Sequence, residues 1–148
     1  MAERPTITGF QYREEPLASE LDLANRLGEP VWVPAEWPVD LNLPEYHLML
    51  PPTDSDAYDL RSHYQLRSRT DGQLLLVSGN RRRQGQHLES GLLPVEGEQF
   101  VTLTRPAGQP PHVVVRAPVW DVHVTGSVSP GMALAVARTL VQVSVTGH

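Results

Sequence analysis

Asp71-Gly72 separates two runs of extended character, and this pair constrains the fold more than any other feature of the chain. An Asp-Gly step supplies the positive φ angles of a two-residue hairpin turn, so the runs on either side are expected to be antiparallel neighbours. Upstream, Tyr64 to Arg69 alternates, with Tyr64, Leu66 and Ser68 on one face and Gln65, Arg67 and Arg69 on the other. Downstream, Gln73–Ser78 reads as the second strand, followed by a polar loop from Gly79 to Ser90. Further strands are expected at Val31-Trp32-Val33, which Pro34 closes, and at Tyr46 to Leu50, before Pro51-Pro52. Gln99–Thr104 follows a Glu96-Gly97 turn, and His112–Arg116 follows a Pro-rich loop. Val119–Thr125 reads as the last strand, with Trp120, Val122 and Val124 sharing a face. Proline accounts for 14 of 148 residues, against about 5% on average, and much of the excess lies between Pro30 and Pro52. That stretch should be extended and irregular, because proline fixes φ and lacks an N–H.

Two segments have helical periodicity. Leu17, Leu21 and Ala24 recur at i, i+4 and i+7, with Leu23 and Leu27 widening the stripe. Pro16 suits a first helical turn and Gly28 a left-handed C-terminal cap. Near the other end, Ser129 is a good N-cap and Pro130 a good first helical residue. Met132, Val136 and Leu140 form a stripe supported by Ala133 and Thr139, and Arg138 complements the helix dipole. The order helix, hairpin-linked strands, helix implies an α+β fold: an antiparallel β-sheet with an N-terminal and a C-terminal helix packed on it. Residues 1–13 are expected to form an arm that frays or adds an edge strand, and 14–148 a single α+β domain.

Composition narrows the function. The net charge of -5 argues against non-specific nucleic-acid binding and against adhesion to an anionic membrane. No apolar run approaches the roughly 18 residues of a membrane span, and Met1 to Pro5 lacks the layout of a secretory signal, so a cytoplasmic location is expected. With no cysteine, there is no disulfide framework, thiol nucleophile or thiolate metal site. All 12 basic residues are arginine. The absence of lysine excludes lysine Schiff-base chemistry and the phosphate-binding G-x-x-x-x-G-K-[ST] loop. Neither G-x-G-x-x-G after a strand nor H-E-x-x-H occurs, and no cofactor is expected.

Four constellations remain. Ser127-Val128-Ser129-Pro130-Gly131 lies between strand and helix, where a nucleophile elbow would place its serine. No acidic residue follows Ser129, and the only later histidine is His148, so the helix-cap reading is favoured and no catalytic residue is assigned. Asp121 and His123 share a strand face near His112. They could hold a divalent metal or act as an acid–base pair, or they could form the solvated face opposite Trp120, which the pattern favours. His47, His63 and His87 show no ligand spacing. Arg81-Arg82-Arg83, with Arg67 and Arg69 as potential neighbours, could bind an anion or could be a solvated turn. Trp32 and Trp37 either pack the proline-rich segment over a sheet edge or line a pocket.

The ending Val119-Trp120-Asp121-Val122-His123-Val124-Thr125-Gly126, followed by Ser129 to Leu140, together with Val31-Trp32-Val33-Pro34, resembles uncharacterised bacterial domains. Such domains occur in the outer portions of anti-sigma factors and in lipoproteins, and have PsbP-like α/β sandwich folds. The resemblance implies a non-catalytic sensing or binding module and transfers no functional residue. The expected function is therefore a binding or regulatory module that presents a sheet face or polar loop to a protein or small molecule. A homodimer through a sheet edge would be one form of it. Arg81, Arg82, Arg83, Trp32 and Trp37 are its candidate binding residues. The alternative is a small metal-binding protein or enzyme using His112, Asp121 and His123.

Overall fold

The Asp71-Gly72 hairpin is present, with Thr70 paired to Gln73 and Gly72 at φ 74°. The computed structural model describes residues 12–51, 62–82, 88, 90–106 and 108–145; most of the expected arm, residues 1–11, lies outside them, as do Arg83 and His87. The strands are β1 (Arg13–Leu17), β2 (Val31–Pro34), β3 (Glu45–Leu50), β4 (His63–Thr70) and β5 (Gln73–Arg81). They continue with β6 (Leu93–Pro94), β7 (Val101–Thr104), β8 (His112–Arg116), β9 (Trp120–Gly126) and β10 (Leu140–Val143). The helices are α1 (Glu20–Leu27) and α2 (Pro130–Ala137). Eight strands form an antiparallel sheet in the order β1-β3-β4-β5-β9-β8-β7-β6, and β10 pairs with β2 in a small antiparallel sheet. The α+β class with a largely antiparallel sheet is therefore observed. Among the described residues, no helix is long and apolar enough to cross a membrane.

Both helices are shorter than their apolar periodicity suggests, and neither is a terminal element of the described chain. Pro16 does not open α1. It lies in β1, an edge strand, where a residue without an N–H is tolerated. The N-cap is Ser19, whose hydroxyl accepts from the Asp22 N–H at 3.2 Å, and Gly28 closes α1 at φ 76° as expected. The Ser129 hydroxyl caps α2 by accepting from the Met132 N–H at 3.1 Å, with Pro130 in the first turn. Leu140 is not the last rung of a helical stripe, because it begins β10 opposite Pro34. Arg138 sits at the helix end and reaches Glu98 at 3.0 Å. The Gly79–Ser90 loop also starts later than expected, since β5 runs on through Arg81, which pairs with Trp120.

The register places Tyr64, Leu66, Leu75, Val77, Val113, Val115, Trp120, Val122 and Val124 on one face of the large sheet. These residues form one core with Leu23 and Ala24 of α1, Ala133 and Val136 of α2, and Val31 and Val33 of β2. Tyr64 joins the layers. Its hydroxyl donates to the Trp32 carbonyl at 2.6 Å and accepts from the Trp32 N–H at 3.1 Å. Its ring lies over Gly79, where an added Cβ would sit 2.1 Å from the ring. Trp120 packs edge-on against Tyr64 at 5.0 Å and donates its indole N–H to the Pro30 carbonyl at 2.8 Å. Both large aromatics thus satisfy their polar atoms inside the core.

Candidate functional site

Arg81 and Arg82 do not converge. Strand alternation sends neighbouring side chains to opposite faces. The Arg81 guanidinium lies 5.2 Å from the centre of the Trp120 ring and pairs with Glu29 at 2.6 Å. Arg82 donates to Asp121 Oδ1 at 2.9 Å and to the carbonyls of Ala117 and Trp120. Arg67 is committed to Glu14 and Gln65. Arg81 and Arg82 therefore brace the end of the β5–β9 pair and are not poised together for an anion, while Arg83 lies outside the described residues.

His112 and His123 do meet. Pairing of Val114 with His123 puts His112 on the diagonal of the same face, with His112 Nε2 2.9 Å from His123 Nδ1. Asp121 lies on that face too but is fully buried, so the expected solvated face is instead a half-buried polar network around a buried carboxylate. Its carboxylate accepts from Arg82 and from Arg116, the latter at 3.3 and 3.4 Å. Burial lowers the His123 pKa below its ordinary value of 6.5; His112 lowers it further, and Asp121 partly opposes both. Arg105 approaches His112 Nδ1 at 3.4 Å. With Asp121 held by two guanidinium groups, no set of three His, Asp or Glu side chains among the described residues could hold a metal ion. Elsewhere on the sheet, His47 turns one ring nitrogen to Glu45 at 3.1 Å and buries Nδ1 without a partner among the described residues.

The two tryptophans separate. Trp32 packs edge-on against Phe100 at 5.1 Å, in the structural role of the two considered. Trp37 lines a cleft of about 390 Å³ between the segment after β2 and helix α2. Trp37, Pro38 and Val39 make one wall, and Met132, Ala135 and Val136 make the other. Glu36 and Thr139 complete the lining, and the Thr139 hydroxyl is already engaged, donating to the Val136 carbonyl at 2.9 Å and accepting from the Glu36 N–H at 3.4 Å. The indole N–H donates to the Asn42 carbonyl at 2.9 Å, which fixes the ring. Val39 is 96% exposed, so this wall has no cover of its own. Helix α2 (Pro-Gly-Met-Ala-Leu-Ala-Val-Ala) has no polar side chain on any side, so the side turned to the cleft is as apolar as the side turned to the core. That composition is the available signal for Met132 and Ala135 as site residues, whereas periodicity alone assigns the helix stripe to the core.

A second groove, of about 690 Å³, runs along the β4–β5 hairpin past Asn42, Arg69, Asp71 and Ser127. Several of its polar atoms are already used. The Asn42 side chain donates to the Arg69 carbonyl at 2.6 Å, and the Ser127 hydroxyl accepts from the Leu74 N–H at 2.8 Å. Both serines of the elbow-like motif thus serve the backbone, Ser127 here and Ser129 at the helix cap. No protein-family model, no curated protein and no solved structure matches the chain.

Proposed function

We infer that the protein is a non-catalytic binding module whose cleft between Trp37 and α2 takes a small, largely apolar molecule. The observation that carries this reading is the pairing of a fixed indole ring with an uncharged helix across an open cleft of about 390 Å³. Small-molecule sites are typically concave, about 300–1,000 Å³, mostly apolar and equipped with a few polar groups. Glu36 fills that last role, and its carboxylate favours a ligand whose polar end is neutral or cationic. A sensing or binding role is also what the resemblance of the final third of the chain implies.

Titration with N-phenyl-1-naphthylamine, a neutral apolar fluorophore, tests the reading. Saturable one-to-one binding is expected with a Kd on the order of 10 μM, suited to a small and open site. Ala135→Glu, which puts a charge into the cleft from an exposed helical position, should weaken binding at least tenfold and leave thermal unfolding nearly unchanged. Binding that is absent, or indifferent to Ala135→Glu and Trp37→Ala, overturns the reading.

A further inference from the structure

Among the described residues, the two sheets end in four strand edges, and three of them are blocked. The edge strand β1 carries Pro16, and β6 consists of Leu93 and Pro94 alone. On β2, the Tyr64 hydroxyl occupies both the N–H and the carbonyl of Trp32. Prolines and capped edges are common means of preventing unwanted strand pairing. The fourth edge, β10, has neither proline nor charge, and no charged residue occurs from Thr139 through Val145.

The phase of the β10–β2 ladder shows which groups face outward. Because the polar groups of Trp32 face Tyr64, Trp32 and Gln142 are opposed without exchanging hydrogen bonds. The bond from the Ala35 N–H to the Thr139 carbonyl at 2.8 Å keeps the same phase. The N–H and carbonyl groups of Gln142 and Leu140 therefore point away from β2, and neither residue has a partner on that side among the described residues. The side-chain layer also stops short. Val141 is opposite Val33, yet Val33 is 3% exposed and Val141 44%.

We propose that β10 pairs antiparallel with β10 of a second copy of this chain, about a two-fold axis at Gln142. In that register the two Gln142 residues exchange both backbone hydrogen bonds, and Leu140 of each copy pairs with Ser144 of the other. Val141 of each copy then faces Val143 of the other, a β-branched cross-strand pair on the core side. The segment complements itself under this rotation, and its lack of charge removes the repulsion that two acidic chains would otherwise meet. An uncharged, self-complementary strand offers a charged partner no opposite charge, which favours a second copy over such a partner. The surface is independent of the cleft, so either can fail alone.

Sedimentation of the full chain between about 10 and 500 μM tests this, since a short strand contact supports a Kd on the order of 10–100 μM. Gln142→Pro removes only an outward N–H and spares the β10–β2 bonds; it should leave the protein folded and monomeric at every concentration. Val141→Lys should weaken the dimer at least tenfold. In a chain without cysteine, the Gln142→Cys variant should be cross-linked by mild oxidation into a covalent dimer, because a paired position brings its equivalent within disulfide reach. A monomer at 500 μM overturns the proposal, and so does a dimer that survives Gln142→Pro or that fails to cross-link in the Gln142→Cys variant.

Discussion

Tyr64 concentrates the fold at the scale of one residue. Its ring fills the space above Gly79, and its hydroxyl serves both backbone groups of Trp32. Burial holds that hydroxyl neutral by raising its pKa far above the ordinary 10. Tyr64→Phe keeps the packing but leaves an N–H and a carbonyl unpartnered, a loss of about 1–3 kcal/mol. Gly79→Ala forces a methyl against the ring and should cost at least as much, because the bonds to Trp32 and the Trp120 ring at 5.0 Å hold the tyrosine ring in place. The two effects are coupled. In a Tyr64→Ala background the ring is gone, and Gly79→Ala should then cost less than about 0.5 kcal/mol, because alanine at a strand position without positive φ also lowers the entropy of the unfolded chain. Urea unfolding of the four chains measures this, and simple additivity would refute the contact. The alternation of Tyr64, Leu66 and Ser68 was legible in the sequence, and all three are buried. The match between Tyr64 and Gly79 was not legible, because it depends on which residue of β5 lies opposite.

Elements were legible where their signals are local. The Asp71-Gly72 turn, the Ser129 cap and the Gly28 terminator each act within a few residues, and each stands where expected. Pro16 suits an edge strand as well as a first helical turn, and β3, supplied from far along the chain, decides between them. Arg81 belongs to a strand because Trp120 pairs with it, which no property of the arginine run reveals. The β8–β9 hairpin places His112 beside His123 and Arg116 beside Asp121, and the long-range β5–β9 pairing adds Arg82 to that carboxylate. This β8–β9 network makes stability depend on pH. The folded-state pKa of His123 is depressed, so the unfolded chain takes up a proton first as pH falls. The contribution of neutral, buried His123 is therefore complete above about pH 6.5 and declines below it, by at most about 1.4 kcal/mol per pH unit for one proton. His112, Arg105, Arg116 and Asp121 face the same site and set the background. Urea midpoints at pH 5.5 and 7.5 should differ more for the native chain than for His123→Gln. Equal differences would mean that His123 takes no part.

At the scale of the molecule, the two ends of the sequence close one core. Among the described residues, β2 and β10 pair with each other and with no other strand, although more than a hundred residues separate them. Val31 and Val33 carry this small sheet into the core that also contains Trp120, Val122 and α2. The sequence marks β2 by its apolar run and closing proline, whereas Leu140 reads as the last rung of a helix, because a four-residue strand has little signal until its partner is known. The consequence can be tested by ending the chain at Thr139. Truncation removes the ladder from Val31 and Val33 and strips Leu140, Val143 and Val145 from the core boundary. Complete burial of one such side chain contributes about 1.5–3 kcal/mol, so partial loss at these positions approaches the roughly 5–15 kcal/mol that holds a domain folded. The shortened chain should therefore lose the near-ultraviolet dichroism of Trp120 and the cooperative urea transition together. Retention of both would show that the large sheet and its helices fold without the small one, and that β10 serves only as an edge. Loss of both, alongside a folded and monomeric Gln142→Pro variant, would separate the two sides of β10: the inner one completes the core, and the outer one receives a second copy.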